Sequence, residues 1–445
     1  MKTFQDWQKV ADRAEPDRMA FIRALINEHK MSRAYRRALA GEEYYAGENT
    51  TIKRFEKIMY NAKGHAIPDY TSANHRIATR FFYRDVTQAN AVLLGNGISW
   101  ENGTGEAALG DNFDRQIMEA GRIAQVEGVA FGFYNNGKVD IFKLTEFVPL
   151  FDEEDGALKA GVRFWQVANN KPLRATMFEL DGYTEYMWKK GSAEVMQEKR
   201  GYIMELRVSE ADGEEIYGFT NYPTFPIVPC YANLTKESEL TPLRATIDAY
   251  DLIQSGYAND IDDANIIYWT ITNAGGMDDA DLVTTLNKLK LLHAAQVDDD
   301  QEITPHEVEA PYGGREALLD RLEKTLYKDA MALNPYDIAS GAVTATQIQA
   351  AYEPLNQKLD LYEAQITQFI KGLLALAGAE DNPTYTRSIQ VNRAEEIQAI
   401  MNAALVLDDV YMAEKIMTIL GDKDKIEEAQ ARKAANDINR LTTGG

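Results

Sequence analysis

The chain has 445 residues, of which 47 are Lys or Arg and 69 are Asp or Glu, for a formal net charge of −22, and 45% are hydrophobic. That length carries two or three domains or one elongated subunit, and that apolar content supports a packed core, which excludes wholesale disorder. The single cysteine, Cys230, excludes a disulfide framework and a cysteine-built zinc site, and the acid excess argues against a simple nucleic-acid binder with a basic footprint.

No run of about 18 apolar residues occurs, and the first residues lack an apolar signal core, so neither membrane spanning nor secretion by the usual route is expected. Residues 1–125 read as mostly helical. Ile77, Phe81, Phe82, Val86, Ala89 and Leu93 recur at helical spacing, and Gly95 stands where a C-cap glycine is expected. From about Val126 to Val228 the period changes to two, as in "VAFGFYNNGKVDIFKL", "GVRFWQVA", "YTEYMWKK" and "YIMELRV". These segments predict antiparallel strands joined by Asn-Gly, Asp-Gly and Gly-Ser turns. The three prolines of "NYPTFPIVPCYANLT" predict an extended connector.

Thr241-Pro242 then predicts a helix start, with Thr241 as N-cap and Pro242 at the first helical position. Leu243, Ile247, Tyr250, Ile253, Tyr257, Ile261 and Ala264 follow at steps of three and four. The implied helix has about 25 residues and a length near 40 Å. Strand signals in "IIYWTITNAGG" and "ITPHEVEAPYGG" flank a short helical stretch, "DDADLVTTLNKLKLLHAA". A second helix is predicted from Arg315, with Leu318, Leu322, Leu326 and Leu333 on one face. Two long helices around a small α/β insert read as a stalk with a tip. After a break at "NPYDIASGAVTATQ", Ile348, Tyr352, Leu355, Leu359, Tyr362, Ile366, Phe369, Leu373 and Leu376 form the most regular seam in the chain. Gly378 is expected to end that helix and Pro354 to kink it. The seam lacks regular flanking charges, so it reads as a core-packed helix rather than a coiled coil. A last helical segment runs from Asn392.

Gly132 to Lys138 has the glycine and lysine spacing of a phosphate-binding loop, but Val139 stands where Ser or Thr is needed. Its flanks alternate like strands, so Asn136-Gly137 predicts a hairpin turn. The acidic runs Asp152-Glu153-Glu154-Asp155 and Asp298-Asp299-Asp300 read as solvated turns. The histidines at 29, 65, 75, 293 and 306 show no paired metal-ligand spacing, and no nucleophile elbow occurs. No catalytic constellation, metal or cofactor is expected. One contrast remains: Asp248 and Asp251, with Asp260, Asp262 and Asp263, lie on the first stalk helix, while Arg321, Lys324 and Lys328 make a basic stripe on the second. The stripe reads either as ion pairing between helices or subunits, or as a row facing DNA phosphates.

Several stretches, in this order, resemble the portal proteins of siphophages from Gram-positive hosts. "EEYYAGENTTI" is similar to an early Tyr-Tyr-x-Gly motif at Tyr44, Tyr45 and Gly47, and "NHRIATRFFYRDVTQANAVLLG" to an Asn-basic-Ile helix ending Leu-Leu-Gly. "GVAFGFYNNGKVDIFKLTEFVPLFDEEDGALKAGVRFW" follows a strand pair and Asp-Gly turn. "TPLRATIDAYDLIQSGYANDIDD", with Ile247, Asp248, Ala249, Tyr250 and Ser255, is the most specific, and "ASGAVTATQI" departs only in Gln347, where Glu is usual.

The resemblance implies a mixed α+β, mainly helical portal fold. Its parts would be a wing at 1–240, stem helices at 241–267 and 314–333, a clip at 268–313, a tunnel loop at 334–345, a long kinked helix and wing return at 346–390, and a crown at 391–445. The tunnel loop would contain Asn334, Pro335, Tyr336, Asp337, Ile338, Ala339, Ser340 and Gly341, and the clip's docking surface Lys288, Lys290 and His293. It further implies a homo-oligomeric, twelve-subunit ring at one capsid vertex of the virion, assembled in the host cytoplasm. Its expected partners are double-stranded DNA in transit, the terminase large subunit, a head-tail adaptor, and the major capsid and scaffolding proteins, with no membrane. A ring multiplies −22 twelvefold, and a mostly repulsive wall lets a duplex slide. Two other classes stay open on the residues alone: an acidic metal-dependent enzyme and a monomeric helical scaffold.

Overall fold

The computed structural model describes residues 2–60, 63–70, 72–189, 192–208, 215–264, 268–272, 281, 284, 302–306, 312–336, 345–387, 393–403, 409–420 and 432. Among them helix outweighs strand, as the mixed α+β expectation had it.

The N-terminal half begins with helices α1 (Phe4–Ala11), α2 (Glu15–Met31), α3 (Arg33–Ala46) and the single turn α4 (Thr50–Lys53). Thr3 caps α1 in a reciprocal capping box with Asp6, and Ser32 caps α3 through the Tyr35 amide. Beyond the hairpin β1 (Ile58–Tyr60) and β2 (Ala66–Pro68) come α5 (Phe81–Leu94), β3 (Ile98–Trp100), α6 (Thr104–Leu109) and α7 (Phe113–Glu127). The periodic pattern placed α5 from Ile77; it starts at Phe81, because residues 75–79 have their amides engaged elsewhere. Gly95 does cap α5, but with a right-handed φ of −65°, and the left-handed turn falls two residues later at Gly97 (φ 77°).

The period-two region forms two sheets. Strands β6 (Phe147–Phe151), β7 (Leu158–Trp165), β8 (Leu173–Glu179), β9 (Gly182–Lys189) and β10 (Ser192–Arg200) make an antiparallel meander. Its inner face buries Val148, Val162, Met177 and Tyr186 against Trp7, Ile22, Leu25 and Ile26 of α1 and α2. Strands β4 (Ala130–Tyr134) and β5 (Val139–Lys143) close through Asn136 (φ 47°) and Gly137 (φ 83°), the mirror-image hairpin turn. The phosphate-loop spacing at 132–138 is therefore a β-turn. A ladder of β11 (Ile203–Val208) with β12 (Glu215–Thr220) follows.

The proline-rich connector contains a strand, β13 (Ile227–Cys230), paired with β4, so part of the expected extended connector joins a sheet. Proline is tolerated there because β13 is an edge strand and Pro229 needs no outward partner. Phe131, Phe133, Phe142, Phe147 and Phe178 fill the space between the two sheets.

Helix α8 (Leu240–Ala264) starts one residue before Thr241. The cap is Ser238, whose hydroxyl accepts from the Leu240 amide at 3.2 Å, not Thr241. Strands β14 (Tyr268–Thr272) and β15 (Glu302–His306) pair antiparallel, and α9 (Tyr312–Asp329) returns. Helix α10 (Ala345–Ala377) runs through Pro354 and carries the seam. Leu359, Ile366 and Leu373 are fully buried against α5, α7 and β4, so the helix is core-packed, as its pattern predicts. Each such side chain contributes roughly 1.5–3 kcal/mol by leaving water. Contact with α7 is so close that a Cβ on Gly121 would collide with the Tyr362 hydroxyl. Strand β16 (Pro383–Tyr385) pairs with β3, and helices α11 (Arg393–Asn402) and α12 (Asp409–Leu420) complete the described chain.

Candidate functional site

The two-helix arm, its root and the joint at its return form the only assembly of sequence-predicted residues that the described structure brings together. Helices α8 and α9 lie antiparallel. Leu243 and Ile247 pack with Leu326, Tyr327 and Ala330 near the root, and Arg315 pairs with Asp260 toward the other end. Burial falls along the arm: Leu326 is buried, whereas Leu318 is 43% and Ile261 47% exposed. The second helix spans 312–329, not 314–333, so Leu333 belongs to the segment after it.

Asp248, Asp251 and Asp262 of α8 are engaged by the N-terminal half of the chain, while Asp260 pairs with Arg315. Asp251, Ser255 and Asn259, spaced by four and buried, accept the backbone amides of Thr79 (2.8 Å), Ile77 (3.0 Å) and His75 (2.7 Å) in turn. An extended segment is thus pinned to the helix through alternate N–H groups, which side chains satisfy in place of a neighbouring strand. Asn49 donates to Asp251 at 2.5 Å and to the Thr79 carbonyl at 3.0 Å, Tyr44 donates to Asp248, and His75 meets Asp262 at 2.6 Å. Burial outweighs these hydrogen bonds and pushes the Asp251 carboxyl up to about 6. The four-residue period of Asp251, Ser255 and Asn259 was the available sequence signal for this seam.

Arg321, Lys324 and Lys328 are exposed along one face of α9, and among the described residues none has a carboxylate within 4 Å. Among the described residues, the stripe makes no pair with the acids of α8.

At the joint, α9 ends in a Schellman motif. The Met331 amide bonds to Lys328 O at 3.2 Å and the Ala332 amide to Tyr327 O at 3.0 Å, with Met331 at φ 51° where glycine is preferred. Helix α10 ends in the same motif with glycine in place, Gly378 at φ 68°. Gln88 of α5 then grips Leu333 with both ends of its amide, at 2.9 and 3.1 Å. Lys358 of α10 donates to both Asp85 oxygens (3.0 and 3.1 Å) and to the Ala330 carbonyl (3.1 Å), with Glu239 at 3.7 Å. One buried ammonium thus ties α5, the end of α9, the start of α8 and α10 together. Burial raises the Asp85 carboxyl despite that cation, while the two carboxylates outweigh burial and raise Lys358.

Of the predicted loop, Asn334, Pro335 and Tyr336 are described. Asn334 Oδ1 accepts the Tyr336 amide at 3.1 Å, and the Tyr336 ring is 68% exposed. Asp337, Ile338, Ala339, Ser340 and Gly341 lie outside the described residues, as do Lys288, Lys290, His293 and Asp298-Asp299-Asp300. The acidic turn at 152–155 is occupied with structure: Asp152 and Asp155 accept the amides of Glu154 and Ala157, and Gln5 and Thr3 bond to Asp152 and Glu153. Among the described residues, no group of three His, Cys, Asp or Glu side chains is arranged to hold a metal ion. Among the same residues, no helix is long and apolar enough to cross a membrane.

The model of the family described as "Phage portal protein, SPP1 Gp6-like" matches residues 25–438. A protein of Clostridium phage phiCD119 named "Portal protein" is 27% identical over 243 residues, which are 50% of this chain and 52% of that protein, so the match spans about half the relative's length. Among solved structures, a chain from the virion of a native gene transfer agent particle has a TM-score of 0.45 at 12% identity, covering 76% of this chain and 89% of that one. A chain from the neck of the native particle computed with C12 symmetry gives 0.41 at 11% identity, covering 76% and 89%. The chain from the neck of the empty particle computed with C6 symmetry gives 0.44 at 12% identity, covering 76% and 90%. With its model matched from residue 25 to residue 438, this chain belongs to the SPP1 Gp6-like family of phage portal proteins.

Proposed function

We propose that the chain is one subunit of a ring-shaped portal at a capsid vertex, through which double-stranded DNA is packaged, retained and released. The observation that carries this reading is the family match over 25–438. The antiparallel arm of α8 and α9 suits the stem of such a ring, with 268–313 forming the clip at its far end and 334–345 the tunnel loop at its return. Residues 1–240 and 346–390 would form the wing, and 391–445 the crown. Lys288, Lys290 and His293 are proposed to dock the terminase large subunit and then a head-tail adaptor, with the capsid and scaffolding proteins outside the ring.

The exposed row Arg321, Lys324 and Lys328 supports a few phosphate contacts on an otherwise repulsive wall, because the chain carries −22 and leaves these cations without an acidic partner among the described residues. Sparse basic contacts steer a duplex without arresting it. The reading places the protein in the virion and assigns it no catalysis of its own. The test is mass photometry combined with negative-stain imaging of the full chain. Closed rings with a central hole are expected, twelvefold in the particle. A protein that stays at its 50.0 kDa monomer mass under all assembly conditions sinks the reading.

A further inference from the structure

The hairpin of β1 and β2 is out of keeping with the rest of the chain. Its register pairs Ile58 with Pro68, Met59 with Ile67 and Tyr60 with Ala66, so opposite partners share a face. One face carries Ile58, Tyr60, Ala66 and Pro68, the other Met59 and Ile67; both faces are apolar. All six residues are exposed, Ile58 by 55% and Tyr60 by 68%, and Tyr70 beside them by 89%. A lone two-stranded hairpin is marginal in water, and one that is apolar on both sides is shaped to be covered.

Its root is firmly held. Residues 75–79 are fastened to α8 by Asp251, Ser255 and Asn259, and Arg76 donates to the Lys53 carbonyl at 2.9 Å. The hairpin therefore projects from the side of the stem at a set place. Residues 53–70 carry Lys53, Arg54, Lys57 and Lys63 against Glu56 and Asp69, so this segment is basic within a chain of −22. A second copy, at −22, is net acidic and so complements this segment in charge, and the apolar faces select a protein surface over phosphates.

A receiving face exists on α8 itself. Ala245, Ala249, Leu252 and Gly256, at steps of four and three, form a stripe on the side of α8 away from Leu243 and Ile247, which pack with α9. Leu252 is 42% exposed, and a Cβ on Gly256 would meet nothing within 4 Å. Arm and stripe are different surfaces of one subunit, so each copy offers one and accepts one. That is a heterologous contact, which gives a ring where its rotation closes.

We propose that the hairpin of each subunit packs on the Ala245, Ala249, Leu252 and Gly256 stripe of the next copy; this rests on the ring reading above. Cys230 is buried, so introduced thiols report alone. Met59→Cys with Leu252→Cys in the full chain, treated with a short bismaleimide, is expected to give a ladder of linked subunits, while each single variant stays at monomer size. Ile58→Ser/Met59→Ser/Ile67→Ser is expected to weaken ring assembly by about tenfold or more with an unchanged far-ultraviolet spectrum. Rings that form with unchanged concentration dependence, or that image normally yet give no ladder, overturn the proposal and leave the ring standing. Unchanged assembly with lost duplex binding also overturns it, by assigning the arm to DNA. A wild-type chain that never forms rings fails the underlying reading instead.

Discussion

Replacing Lys358 by methionine keeps the length and most of the volume of the side chain and removes only its charge and donors. Among the described residues that ammonium is the sole cation bonded to Asp85, whose side chain is 1% exposed, and Lys358 itself is 13% exposed. Losing it leaves a buried carboxylate without a counter-charge, and the Ala330 carbonyl loses a donor as well. Breaking a buried pair from one side costs about 3–5 kcal/mol, several times the worth of an exposed pair. The double replacement Asp85→Leu/Lys358→Met removes the stranded charge and is expected to recover about half of that loss or more. A chain of this size does not unfold in one step, so the suitable assay is urea titration read by hydrogen exchange in peptides of α10 and α5. A Lys358→Met cost under about 1 kcal/mol, or a double variant no better than the single one, refutes the picture of one buried ammonium holding four elements together.

Three further outcomes follow from the same geometry. Met331→Gly puts the preferred residue at a left-handed cap and is expected to stabilise the protein by about 1 kcal/mol in thermal unfolding; destabilisation would mean that the methionine side chain outweighs the backbone strain. Asp251 holds its proton more tightly folded (about 6) than in its unperturbed state (3.8), so its contribution to stability is complete below pH 3.8 and is lost as pH rises through 6. The difference between wild type and Asp251→Asn should change by at most about 3 kcal/mol across that window, and a flat difference contradicts the burial argument. Replacing Arg321, Lys324 and Lys328 together by Gln is expected to leave ring assembly intact and lower DNA packaging; failed assembly without a DNA-specific defect would return the stripe to subunit pairing.

Much of this protein was decided by local sequence. The change of period near Val126 separates helical from sheet-forming chain, because side chains of a strand alternate and those of a helix do not. Asn136-Gly137 demanded a mirror-image turn, and the seam from Tyr352 to Leu376 demanded burial along one side of a helix. The co-linear motifs from Tyr44 to Gln347 already pointed to the portal family. What only tertiary structure decided lies where partners are far apart in the chain. Asp251 and Ser255 read as one acid of the contrast with the basic stripe and as a motif serine until Thr79 and Ile77, more than 170 positions earlier, brought their amides to them. Lys358 and Asp85 are 273 residues apart, and nothing local marks either as the buried one. Ile227–Cys230 became a strand despite its proline because it lies at a sheet edge, a place that no propensity records. Pattern reveals which side of an element must be buried; only the fold determines which polar groups are buried with it, because each such group needs a particular partner and the chain supplies that partner from a distance.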